Sequence, residues 1–134
     1  MNIATYITAV SMKPKRYLCA IYNQTKTLEF VEKNPRFLLQ LLSSTQYRLV
    51  DLLGKQSGFN IDKMARLEKR KLLANWHDYP VLSDALSLME LKVLEHFDGG
   101  DHTCFLCDLI AYKNLCDGEP LTLDILRDKK LIRM

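Results

Sequence analysis

The chain has 134 residues, the usual size of one domain, and 48% of them are hydrophobic, which is enough to fill a core. The formal net charge is only +3 and the basic residues are scattered, so the composition predicts no nucleic-acid binding. No apolar run approaches the roughly 18 residues of a membrane span and no signal peptide opens the chain, so we expect one cytoplasmic domain, residues 1–134, that does not enter a membrane.

The four cysteines predict reduced thiols rather than a disulfide framework. Cys104 and Cys107 form a Cys-x-x-Cys pair, a spacing that elsewhere indicates zinc binding or thiol redox chemistry. Here the pair lies inside a predicted strand, where residues three apart point to opposite faces, and no second pair would complete four ligands. We therefore interpret both as ordinary buried thiols and expect no metal.

The N-terminal third of the chain predicts strands interrupted by one short helix. β-branched and aromatic residues favour strands, and Pro14 and Pro35 each end the element before them. Thr25 predicts the N-cap of a helix from Lys26 to Lys33. The predicted strands cover residues 2–11, 16–22 and 36–42.

The middle of the chain predicts helical turns and loops. Apolar residues at three- and four-residue spacing indicate a helix from Ser44 to Gly54, followed by a polar loop over residues 55–60. Residues 61–71 predict one or two basic helical turns. The aromatic segment from Trp76 to Val81 contains a proline and predicts a loop that packs over the sheet.

A hairpin organises the C-terminal half. Residues 88–96 and 104–112 alternate in polarity on either side of Gly99-Gly100, and two consecutive glycines permit the positive φ angles of a tight turn. His102 stands where the second strand leaves that turn, with a titratable ring at the rim of the sheet. Residues 121–126 predict a last strand, and the recurring hairpins favour an antiparallel barrel with short helices.

Four stretches, in this order, resemble the flavin reductase-like FMN-binding split barrels. The strand that begins at Asn2 is similar to the family's first flavin strand, and residues 23–27 are similar to its phosphate loop. Residues 53–63 resemble its loop with Ser-Gly and Asp-Lys signatures, and Gly100-Asp101-His102-Thr103 resembles its most recognisable hairpin. Because chance matches rarely keep order and spacing, the resemblance implies a mainly β, antiparallel split barrel over nearly the whole chain.

The resemblance also implies a cofactor and the residues that hold it. FMN needs an anion site for its phosphate, which a helix start with free amides and a nearby lysine would provide. Its ring needs an apolar wall with hydroxyl or backbone partners, which the first strand would provide. The implied FMN-binding residues are Asn2, Thr5, Tyr6, Thr8, Ser11, Asn23, Thr25, Lys26, Thr27, Ser57 and Lys63, and the implied catalytic residue is His102.

Each of these residues also has a purely structural interpretation. Thr25 can simply cap its helix, Lys63 can be one more solvated charge, and His102 can be a rim histidine bonded to Asp101. Trp76 and Tyr79 are interpreted as packing residues rather than ligand-stacking ones.

By the resemblance, the activity is reduction of FMN by NADH or NADPH in a homodimer. Two alternatives stay open: an FMN electron carrier reduced by a protein partner, and an interaction module that has lost flavin. Family members usually carry another strand before the segment that begins here at Asn2. We therefore expect a split barrel without that first strand, with an exposed sheet edge that a dimer partner could cover.

Overall fold

The structure, a computed structural model, describes residues 1–132. Within that range it contains seven strands and three α-helices. In chain order the elements are β1 (Ile7–Met12), β2 (Lys15–Tyr22), α1 (Lys26–Lys33), β3 (Arg36–Leu41), α2 (Lys63–Lys69), β4 (Leu73–Trp76), β5 (Tyr79–Leu82), β6 (Ser87–Asp98), β7 (His102–Asn114) and α3 (Leu123–Asp128).

Five strands form one antiparallel sheet in the order β1-β2-β7-β6-β3, and β4 and β5 form a separate hairpin. The long hairpin of β6 and β7 is the centre of the sheet, with 12 and 13 residues in its strands. Gly100 takes a φ of 100° in its turn, the left-handed region that glycine permits without cost. The predicted class, mainly β and antiparallel with short helices, is confirmed.

Strand β6 contributes to two separate hydrophobic clusters because both faces of the sheet are covered along it. Leu88 and Leu91 are three residues apart on a strand that pairs regularly with β3, so their side chains point to opposite faces. Both are fully buried, each in a different cluster. Leu88 packs with Leu53, Leu67 and Leu82, whereas Leu91 packs with Cys19, Ile21, Val31, Phe105 and Cys107.

Several predicted elements are confirmed and several are wrong. Helix α1 has the predicted bounds, and the strand predicted from Arg36 ends one residue early, at Leu41. The strand predicted from Asn2 begins only at Ile7. The helix predicted up to Gly54 is instead a 3₁₀ turn, Ser44–Arg48, followed by a π-helical turn, Asp51–Lys55.

Two further predictions are corrected by local side-chain chemistry. The strand predicted over residues 121–126 is helix α3, because the Thr122 hydroxyl caps it by accepting a hydrogen bond from Ile125 N (3.3 Å). The loop predicted from Trp76 to Val81 is the hairpin of β4 and β5. His77 and Asp78, at φ 48° and 66°, form its turn, and both residue types tolerate that conformation better than most.

Among residues 1–132, no helix has the length and apolar character needed to cross a membrane.

Candidate functional site

Asn23 fixes the hairpin turn to the end of strand β2. Its side-chain amide donates to Gly100 O (3.1 Å), and its amide oxygen accepts from the Thr103 hydroxyl (2.7 Å). Its backbone N–H donates to Asp101 O (2.9 Å). Predicted as an FMN ligand, Asn23 is committed to holding this turn, which we refer to below as the turn end of the sheet.

His102 lies at the turn end between two tyrosine rings. The ring centroids of Tyr6 and Tyr22 are 5.0 Å and 5.4 Å from that of His102. Nδ1 of His102 lies 2.6 Å from a carboxylate oxygen of Asp101, and the histidine side chain is 20% exposed. A carboxylate accepts, so this contact assigns the proton to Nδ1 and leaves Nε2 for another group.

Helix α1 begins beside this histidine. The Thr25 hydroxyl accepts from Leu28 N (3.3 Å) and donates to Tyr22 O (2.8 Å), so it caps the helix and ties it to β2. The predicted N-cap is therefore confirmed, and a contact of Thr25 with FMN stays a prediction. The first-turn amides of Lys26 and Thr27 have no acceptor inside the helix, as at any helix start, and they are available to an anion.

Lys63 is a buried lysine, only 7% exposed, at the start of helix α2. Its ammonium donates to Leu53 O (2.7 Å), and burial lowers the pKa of Lys63. The interpretation of Lys63 as a solvated charge is wrong. The charges of Lys63 and Lys26 both act on the Met1 amino group. The pKa of that group is lowered by burial first, then by Lys63 and then by Lys26.

The loop with the Ser-Gly signature also meets α1. A Cβ placed on Gly58 would lie 3.4 Å from Lys26 Cβ, so the loop packs closely on the lysine stem. The hydroxyl of Ser57 accepts from Phe59 N (3.2 Å) and shapes the turn. Lys26 thus lies against the loop at Ser57, and neither its ammonium group nor that of Lys63 has an acidic partner within residues 1–132.

The predicted residues of the first strand are spread more widely. Asn2 is half-buried, and its side chain accepts from Ile3 N (2.9 Å). Thr5 and Thr8 are exposed, whereas Tyr6 is fixed to β2 by a bond from Ala20 N to Tyr6 O (2.9 Å). Ser11 faces Arg16 at the far end of β1, roughly 17 Å along the strand from Tyr6. The FMN contacts of these residues stay predictions.

Sequence reasoning missed Tyr22 as a neighbour of His102. The register between β2 and β7 would have revealed it, because Tyr22 pairs directly with His102 and paired residues lie on the same face of a sheet. That pairing could be found only by aligning two strands that are distant in sequence.

The opposite-face prediction for the Cys-x-x-Cys pair is confirmed. Cys107 is fully buried in a core cluster, whereas Cys104 is half-exposed and lies near Gly99 at the turn. Cys107 lies beside Cys19, and the hydrogen bond that the Cys19 thiol donates to Cys107, together with burial, raises the pKa of the Cys19 thiol. In the described part of the chain, no three His, Cys, Asp or Glu side chains are grouped as a metal site.

A five-stranded antiparallel sheet with short helices at its ends defines the class of split-barrel flavin-binding folds. The FMN-binding protein from Thermus thermophilus, solved with 1-cyclohex-2-enone, superposes with a TM-score of 0.73 at 28% identity, over 87% of this chain and 66% of that one. Flavoredoxin from Methanosarcina acetivorans superposes with a TM-score of 0.73 at 20% identity, over 87% of this chain and 64% of its own, which shows the fold alone.

The model of the "Flavin reductase like domain" matches residues 2–125, and the chain belongs to that family. FMN reductase (NADH) RutF from Acinetobacter baylyi is 25% identical over 116 residues, which are 87% of this chain and 59% of that protein. High molecular weight rubredoxin from Moorella thermoacetica is 25% identical over 123 residues, 90% of this chain and 52% of that protein. The chain therefore spans only a little more than half the length of these curated relatives.

Proposed function

We propose that the chain binds FMN at the turn end of the sheet and transfers hydride to it from NADH or NADPH. The observation that carries this proposal is the buried Lys63, which like Lys26 acts on the Met1 amino group and has no acidic partner in the described residues. Burying an ammonium group is costly unless an anion compensates it. A phosphate at this position would supply that compensation.

The residues at the turn end fit the phosphate of FMN. Lys63 and Lys26 would supply charge, and the amides of Lys26 and Thr27 would supply directed donors at the start of α1. Ser57 lies on the loop packed against the same lysine. The anchor is therefore built from a helix, a loop and a buried side chain, and each of these is rigid.

The flavin ring is proposed to lie toward the tyrosines that surround His102. When bound, FMN accepts hydride from nicotinamide and supplies the redox chemistry. The residues of the chain bind and orient the flavin ring. Tyr6 and Tyr22 offer aromatic surface to it, and Asp101 fixes the tautomer of His102. Nε2 of His102 is then placed to contact the nicotinamide carboxamide or the flavin edge.

The site is proposed to be completed in a homodimer, as the family resemblance implies. Tyr6, Tyr22 and Phe97 are exposed large side chains at the turn end. A second copy packed there would cover aromatic surface that is otherwise in water and would help to exclude water from the flavin.

The test is the visible spectrum of the purified protein with added FMN, followed by NADH or NADPH without oxygen. We expect a bound-flavin spectrum that bleaches rapidly with one of the two nucleotides. A spectrum that stays free of bound flavin in excess FMN would overturn the proposal and leave the interaction-module alternative.

A second candidate is an FMN electron carrier, favoured by the similarity to part of a high molecular weight rubredoxin. The same experiment separates the two candidates. Flavin that binds tightly but is not bleached by either nucleotide, and is bleached by a reduced iron–sulfur protein, would establish the carrier.

A further inference from the structure

A cleft of about 500 Å³ lies at the opposite end of the β6–β7 hairpin, which we refer to as the open end. It is bordered by the β1–β2 turn, the β4–β5 turn and the last residues of β7, with Lys15, Trp76, His77, Tyr112 and Lys113 around it. From His102 to Tyr112 the strand rises about 30 Å. A nucleotide bound at the turn end does not reach this cleft within one chain, so the cleft needs its own explanation.

The aromatic wall of the cleft is held rigidly. Trp76 stacks on His77 with ring centroids 4.0 Å apart and an interplanar angle of 19°. Nδ1 of His77 lies 3.3 Å from a carboxylate oxygen of Glu90, a buried residue of β6. The indole is therefore held by two contacts that end at Glu90, on the face of the sheet that Lys113 shares. Tyr112, which is 63% exposed, lies on the other face of β7 with Lys15.

The charges of the cleft are positive and available. Lys15 Nζ lies 5.9 Å from the centroid of the Tyr112 ring. Lys113 is exposed beside it, and neither lysine takes part in an ion pair among residues 1–132. Among the described residues, those that line the cleft include no acid, and the carboxylate of Glu90 contacts His77. The cleft thus combines rigid aromatic surface with two free ammonium groups.

We propose that the open-end cleft binds a planar aromatic ligand that carries an anionic group. The ring packs against Trp76, and the anion contacts Lys113 on the same face of β7 and Lys15 at the edge of the cleft. The anion can be a carboxylate, as in an aromatic acid, or a phosphate, as in a nucleoside monophosphate. The proposal is independent of flavin binding at the turn end.

Trp76 is the single tryptophan of the chain, so its indole N–H gives one unambiguous signal from inside the cleft. The experiment follows this signal by ¹⁵N NMR in the full chain with saturating FMN, while benzoate or AMP is added. We expect a saturable shift with at least one of them. Saturation by benzoate alone identifies a carboxylate ligand, and saturation by AMP alone identifies a phosphate ligand; either result supports the proposal.

The charge requirement is tested with a double variant, Lys15→Gln with Lys113→Gln. Each exposed ammonium contributes modestly, so the dissociation constant should rise about tenfold for the pair. The matched control, Lys33→Gln with Lys130→Gln, removes the same charge from exposed positions outside the cleft and should leave the constant within about twofold.

Three results would overturn the proposal. The first is an indole signal that neither ligand moves at about 10 mM, an affinity too weak for a specific site. The second is an equal loss of ligand affinity in the cleft variant and in its control variant. The third is a signal that moves with protein concentration and not with ligand, which would mean that a second copy covers the cleft. The dispersion of the amide signals in the same ¹⁵N spectra shows whether each variant is folded.

Discussion

The two ends of the β6–β7 hairpin use polar side chains in opposite ways. At the turn end, the side chains of Asn23 and Thr25 form hydrogen bonds with the residues around them, whereas Lys63, Lys26 and one nitrogen of His102 keep hydrogen-bonding capacity for a ligand. At the open end, Asn114 has no side-chain hydrogen bond among the described residues and the lysines are exposed. Several side-chain hydrogen bonds fix the backbone at the turn end, whereas the open end is held mainly by the contact between His77 and Glu90.

The difference teaches that predicted ligands fall into two groups once the fold is known. Residues such as Asn23 matter because their hydrogen bonds fix the position of neighbouring residues. Residues such as Lys63 matter because no acidic side chain among the described residues neutralises their charge. Substitutions of the first group should alter stability, and substitutions of the second should alter affinity.

The largest expected effect is on FMN affinity in Lys63→Met. Removing a buried ammonium that faces the phosphate should raise the dissociation constant about thirtyfold, or ~2 kcal/mol. Lys69→Met, on the exposed part of the same helix, should stay within about twofold. Titration of FMN fluorescence measures both, and equal constants for the two variants would remove Lys63 from the site.

Asn23→Ala should lower the free energy of unfolding by about 1.5 kcal/mol, since two side-chain bonds to the turn are lost. Asn114→Ala at the open end should change it by less than about 0.5 kcal/mol. Urea denaturation measures the pair. If Asn114→Ala costs as much as Asn23→Ala, the contrast between the two ends is wrong.

His102→Gln should slow bleaching of bound FMN by NADH about tenfold, or ~1.4 kcal/mol, because Nε2 no longer orients the nicotinamide. FMN affinity should change by less than about twofold. His96→Gln, on the exposed side of β6, is the matched control and should leave the rate unchanged. Anaerobic stopped-flow absorbance gives these rates, and an unaffected His102→Gln would exclude His102 from the reaction.

Thr25 and Thr122 cap α1 and α3 with hydroxyl contacts of the same length, 3.3 Å. Changing either to Ala should therefore cost about 1 kcal/mol of stability. Only Thr25→Ala should also weaken FMN binding, because only α1 begins at the proposed phosphate site. Thermal denaturation with and without FMN separates the two effects, and a similar FMN response in both variants would contradict this placement.

The smallest effect is a dependence on pH that Lys63 introduces. Burial lowers the pKa of Lys63 below its ordinary 10.5. At pH values between the lowered pKa of the folded chain and the ordinary pKa, the unfolded chain therefore binds more protons than the folded chain. Stability without FMN should therefore rise with pH through that window, relative to Lys63→Met, while FMN affinity falls as the ammonium is lost. Denaturation and FMN titrations at alkaline pH test this, and parallel pH profiles for the two proteins would refute it.

Local patterns predicted most of the fold. Thr25 before an amphipathic segment was sufficient for α1, and Gly99-Gly100 between alternating runs was sufficient for the central hairpin. The alternating pattern at residues 121–126 predicted a strand, but the segment is helical because Thr122 caps its start. At Trp76 a proline on the hairpin's exposed strand suggested a loop, although Pro80 is tolerated in a short two-stranded pair.

The site was predictable in part. The sequence order located the α1 start, the Ser57 loop and the histidine turn, but not what lies between them. The burial of Lys63 depends on Leu53 and the packing of α2, and the closeness of Tyr22 to His102 depends on register between distant strands. Both are consequences of tertiary packing, which no window of the sequence contains.

The burial of β6 on both faces has a consequence for how the molecule opens. Because this one strand contributes to both hydrophobic clusters, neither cluster can separate from the other without disturbing β6. The slowest amide protons of the two clusters should therefore exchange with solvent in a single shared event, as parts of one cooperative unit.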